Sequence, residues 1–110
     1  MPKYLIHGSY TLEGVRGLIK EGGSSRRSHF DQNLGNIGGK VEAFYFAFGG
    51  EDIYAIVDLP DNISGAAISL ALGAGGSFKA STIVLLTAEE VDQAVKKVPL
   101  VKYRPPGQSL

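Results

Sequence analysis

The feature that most constrains this chain is an apolar hairpin with no polar side. Residues Val41 to Pro60 read VEAFYFAFGGEDIYAIVDLP. Val41–Phe48 is β-branched and aromatic, Gly49-Gly50-Glu51-Asp52 is turn chemistry, and Ile53–Leu59 resumes the apolar run. By simple alternation Val41, Ala43, Tyr45 and Ala47 point one way and Phe44, Phe46 and Phe48 the other. A sheet with one wet face would alternate apolar with polar residues. This one asks for cover on both sides.

The chain supplies few elements for that task. Its 110 residues imply one domain with one modest core. Lys and Arg equal Asp and Glu at 11 each, so no cationic excess exists to neutralise phosphates, and nucleic acid is not expected as a partner. No cysteine is present, which excludes disulfides, thiolate catalysis and Cys-based metal sites. No apolar run approaches the ~20 residues of a membrane helix, and Met1-Pro2-Lys3-Tyr4 enters a strand with no signal-peptide core, so no membrane association and a cytoplasmic location are expected.

Around the hairpin, Lys3–Tyr10 reads as a strand with Tyr4, Ile6 and Tyr10 on one face and Leu5, His7 and Ser9 on the other. Thr11 caps a helix carrying Leu12, Val15, Leu18 and Ile19 as its buried stripe. Ser24 or Ser25 caps a second helical piece over Arg26–Ile37, with Phe30, Leu34 and Ile37 inward and Gly38-Gly39 closing it. After the hairpin, Asp61 and Asn62 offer an N-cap for a helix over Ile63–Leu72, ended by Gly73-Ala74-Gly75-Gly76. Phe78–Leu86 is a fourth strand. Thr87-Ala88-Glu89-Glu90 forms a capping box for a last helix using Val91, Ala94, Val95 and Val98, which Pro99 ends.

The order strand, broken helix, strand, strand, helix, strand gives an α+β, ferredoxin-like βαββαβ sandwich, with helices on one face of a four-stranded antiparallel sheet. The other face retains Leu5, Phe44 or Tyr45, Ile56 and Ile83. Burying one large apolar side chain is worth ~1.5–3 kcal/mol, so several left bare would be costly. The expected cover is the same face of a second copy, giving a homodimer or larger homo-oligomer of the dimeric α+β barrel kind. The alternative is that the broken first helix and the tail cover this face within one chain.

The sequence resembles the GYD-domain family of small bacterial and archaeal proteins. The resemblance runs from about Lys3 to Lys97. Gly38-Gly39-Lys40-Val41-Glu42-Ala43-Phe44-Tyr45, Gly50-Glu51-Asp52, Ile56-Val57-Asp58-Leu59-Pro60-Asp61 and Thr87-Ala88-Glu89-Glu90 carry it. Gly50-Glu51-Asp52 stands where the family often has Gly-Tyr-Asp. It implies the dimeric α+β barrel, with a GYD-like domain over residues 1–98 and a proline-rich tail over 99–110. The family has no assigned general activity. Related barrels include cofactor-free monooxygenases, lactone isomerases, haem-degrading enzymes and ligand-sensing domains, and fold alone does not choose among them.

Of the residues able to carry chemistry, His7 stands out as an imidazole inside an apolar strand, suited to a general base or a ligand contact, or else a strand histidine bonded to a neighbour. Ser9 shares its face, and Tyr45 and Tyr54 add phenols that can donate to a ligand carbonyl or simply pack. The expected ligand site is therefore His7, Ser9, Tyr45 and Tyr54, with His7 the one catalytic candidate. His29 reads as a solvated helix residue, Asp52 as a turn-fixing acid, and Asp58 as a cavity acid or a wet strand end. Two isolated histidines make no metal site, and no cofactor is expected. Gly73–Ser81 lacks Walker spacing and leads from helix to strand, so it is no phosphate loop. The functional expectation is a small-molecule-binding or assembly protein taking an apolar or aromatic ligand between paired sheets. The alternative is a cofactor-independent isomerase or monooxygenase using His7 as base.

Overall fold

The computed structural model describes residues 1–108. Ser109 and Leu110, the end of the expected tail, lie outside the described residues. The elements are β1 (Lys3–Tyr10), α1 (Leu12–Glu21), α2 (Gly23–Gly35), β2 (Lys40–Phe46), β3 (Ile53–Asp58), α3 (Asn62–Gly75), β4 (Phe78–Leu85) and α4 (Ala88–Val101). All strand pairings are antiparallel, in the order β2-β3-β1-β4. This is the ferredoxin-like sandwich the element order predicts, with α4 added after the last strand.

The local signals act as expected at three helix starts. The Thr11 hydroxyl accepts from Gly14 N–H, and Asp61 accepts from Ser64 N–H at 2.9 Å. The Thr87–Glu90 capping box has both of its bonds. At α2 the expectation fails: the helix starts at Gly23, behind Gly22, without a serine cap. Gly38, at φ 79°, turns the chain out of α2 as predicted. Two other ends move. α3 runs through Gly73 to Gly75, and left-handed Gly76 closes it. α4 passes through Pro99 to Val101, because its exposed surface lets water satisfy the carbonyl that proline leaves unpaired.

The core lies between the sheet and the helices. Tyr4, Ile6, Ala55, Val57 and Leu59 meet Leu34 of α2 and Ile68 of α3, with Phe30, Ile37, Val41 and Phe44 packed around them. Val41 corrects the simple alternation. A β-bulge between Val41 and Ala43 inserts one extra residue into β2, so Val41 opposes Val57 on the core side while Ala43 and Tyr45 point away. The same slip assigns Phe44 to the core and Tyr45 to the open face.

Two predicted stripes are not buried. In α1 the one buried residue is Gly14, and Leu12, Val15 and Ile19 are exposed. The helix lies close over Ser77 on its glycine side, which turns the apolar side chains outward. In α4 no residue is buried, and Val91, Val95 and Val98 are all exposed. The radius of gyration, 17.8 Å, exceeds the roughly 13 Å of a compact chain this long. The long axis reaches 61 Å against 31 and 23 Å for the other two, because α4 projects from the body.

Candidate functional site

The face of the sheet opposite the helices holds the predicted site residues. The β1 register sets His7 across from Tyr54 of β3 and Ser81 of β4, and Leu5 across from Ile56 and Ile83. The β2 register adds Tyr45, directly opposite Tyr54. His7, Tyr45 and Tyr54 are therefore brought together as three neighbours across three strands. The two tyrosines are exposed, at 71% and 44%. The rings of His7 and Tyr54 stack with centroids 6.0 Å apart and planes 11° from parallel.

His7 also has a partner that sequence reasoning missed. Its Nδ1 lies 2.5 Å from Glu51 Oε1, with both side chains partly buried. Glu51 reaches it because the lead-in to β3 continues along β1 beyond the paired residues. Asp52 N–H donates to Gly8 O, and Asp52 Oδ2 accepts from Tyr10 N–H at 2.9 Å. The Ser9 hydroxyl donates to Gly50 O at 3.1 Å. These bonds hold Gly50–Asp52 beside Gly8–Tyr10 and aim the Glu51 carboxylate at the imidazole. Ser9 thus stands on the predicted face but anchors the loop. Asp52 does fix the turn, yet its side chain bonds to the end of β1 rather than within the hairpin. The signal for Glu51 was its place in the Gly50-Glu51-Asp52 triplet, but it needed the β1–β3 register to be read.

This arrangement has a defined chemical capacity. A carboxylate can only accept, so an Nδ1–H of His7 is the donor in this contact, which leaves Nε2 of a neutral ring as an acceptor. The Tyr54 phenol beside it can donate.

The other candidates lie elsewhere. Asp58 is paired with Lys3 at 2.9 Å, and Glu42 approaches the same ammonium at 3.2 Å. The Asp58 contact, then the Glu42 contact, raises the Lys3 pKa above its ordinary value. That cluster borders a hollow of about 630 Å³, lined also by Ile56, Leu85, Thr87 and Glu90, at the opposite end of the sheet from Glu51. Its charged groups are taken up in the Lys3 ion pairs and in the Thr87–Glu90 capping box, which leaves the His7–Glu51 pair as the better candidate for acid–base work. His29 is exposed, 3.9 Å from Glu21. Among the described residues, no three His, Asp or Glu side chains converge as a metal site would require.

No curated protein and no solved structure matches the chain. The family model described as GYD domain matches residues 4–95, from the start of β1 into α4. With almost all of the sandwich inside that match, the chain belongs to the GYD-domain family.

Proposed function

We propose that this GYD-domain protein is a homo-oligomer whose non-helical sheet faces pair and enclose a site for a small apolar or aromatic ligand. Leu5, Ile56 and Ile83 supply the apolar floor, and His7, Glu51, Tyr45 and Tyr54 supply the polar groups. The observation that carries the reading is the placement of the His7–Glu51 pair next to Leu5, Ile56 and Ile83 on the sheet face that the helices leave uncovered. A second copy over that face would take the pair out of water, where each of its hydrogen bonds to a ligand gains strength. The test is solution mass across a concentration series, joined to a thermal-shift screen of aromatic and carbonyl-bearing compounds. A dimer whose ligand set changes in His7→Ala and Glu51→Gln supports the reading. A monomer at high concentration overturns it.

The 2.5 Å carboxylate contact favours a second reading, acid–base turnover without a cofactor. Nε2 of His7 takes a proton from a carbon beside a carbonyl, and Tyr54 donates to the developing oxyanion. Any compound bound by the wild type is then tested for proton exchange in deuterated water. Exchange lost in His7→Ala supports turnover, and bound compound without exchange leaves the protein a binder.

A further inference from the structure

The molecule has an arm without a bed and a bed without an arm, at opposite ends. The arm is α4, which follows β4 at the end of the sheet where Leu85 pairs with Lys3. Its Val91, Val95 and Val98 recur at helical spacing, exposed at 46%, 61% and 64%. A lone 14-residue helix is marginal in water, because helices below about 12–15 residues take most of their stability from packing. Pro99 inside it costs roughly 3 kcal/mol more. The capping box offsets only part of this, so α4 requires a surface.

The bed is an apolar groove of about 390 Å³ between α1 and the β2–β3 turn, at the far end of the same sheet. Val15 and Leu18 form one wall, and Phe46, Ala47 and Phe48 the other, with Phe48 fully exposed. Leu12 and Ile19 extend the apolar surface along α1. α4 is joined to β4 by Leu86 and Thr87 alone and points away from the body, so it does not fill the groove of its own chain.

We infer that α4 of one copy docks through Val91, Val95 and Val98 in the α1–hairpin groove of a second copy of this chain. The surfaces match in chemistry, and each is otherwise a bare apolar patch of the kind soluble proteins cover. Because arm and groove lie on different parts of the molecule, the contact is either exchanged reciprocally between two copies or repeated head to tail, closing as a ring or continuing as a filament. It uses neither the open sheet face nor His7, so it stands or falls separately from sheet pairing.

The chain has no cysteine, so Val95→Cys gives one attachment point for a thiol-linked photo-crosslinker. Light and isotopically heavy copies are mixed, crosslinked and mapped. Links from position 95 to residues 12–19 or 46–48 of the other isotope support the docking. Links confined to the same chain, links to the open sheet face, or an absence of links between copies overturn it. Solution mass gives the second arm. The Val95→Asp/Val98→Asp variant keeps the core intact because α4 buries nothing, and Phe48→Asp alters a fully exposed residue. Each is expected to weaken the association made through α4 at least tenfold. Unchanged association in both overturns the docking while leaving sheet pairing untouched.

Discussion

The Tyr4 hydroxyl donates to Asn62 Oδ1 at 2.6 Å, which ties the first strand to the first turn of α3 across the core. Tyr4 is almost wholly buried, whereas Asn62 is exposed. The two halves of this bond are therefore not equivalent. Asn62→Ala strands a buried hydroxyl and is expected to cost about 1–3 kcal/mol, whereas Tyr4→Phe frees an amide that water can reach and is expected to cost about 0.5–1.5 kcal/mol. Urea denaturation of both variants at pH 7 measures the difference.

The same tyrosine makes the fold sensitive to base. Burial first, then the nearby Asp61 charge, raises the Tyr4 pKa above its ordinary value. A pKa raised on folding contributes stability that is complete below the unfolded value, about 10, and is lost as pH rises through the folded one. Alkaline unfolding should therefore be steeper in the wild type than in Tyr4→Phe, read as thermal midpoint against pH from 8 to 11.

At the acid end the sign reverses. The Ser64 backbone N–H, then the Ser64 hydroxyl, holds the Asp61 carboxylate below its usual range. Stability from a depressed pKa is present above the unfolded value and is lost as pH falls through the folded one. Asp61→Asn keeps an accepting oxygen at the cap but cannot titrate, so its stability should fall less below about pH 4. Thermal midpoints at pH 7 and pH 3 provide the comparison.

Two glycines of α1 should respond to alanine in opposite directions. A Cβ at Gly14 would stand 2.0 Å from Ser77 O, whereas one at Gly17 meets nothing within 4 Å. Gly14→Ala is expected to cost about 1–3 kcal/mol as the helix is pushed from the β4 lead-in. Gly17→Ala is expected to stabilise by about 0.5–1 kcal/mol through helix propensity alone. Chemical denaturation of the pair, each against wild type, checks both signs.

Much of the architecture was legible because caps and periodicity are local. Thr11, Asp61 and Thr87 mark three helix starts through bonds to residues three positions away. Tyr4, Ile6, Phe30, Leu34 and Ile37 carry spacings that only an inward face explains. Burial of a stripe is not local. α1 and α4 have good helical patterns, but a pattern states that a face must be covered and not which molecule covers it. The His7–Glu51 contact was hidden for a related reason, since it joins residues 44 positions apart and exists only in one strand register. The shared face of His7 and Ser9 followed from alternation in unbulged β1, whereas the choice between Phe44 and Tyr45 for that face stayed open until the β2 bulge and register settled it.

The bulge in β2 leaves that strand serving two masters, its beginning committed to the interior and its aromatic row divided between interior and exterior. One residue, Glu42, is the whole phase difference. Its excision would bring Val41 and Ala43 into direct succession, so Val41 would stay inward opposite Val57, Ala43 outward opposite Ile56 and Phe44 inward opposite Ala55, with the bulge gone and every face kept. Length at this point is therefore coded in one direction: loss of Glu42 should be tolerated as a regular strand, whereas an added residue would have to widen the bulge or slide the start of β2 by two positions against β3.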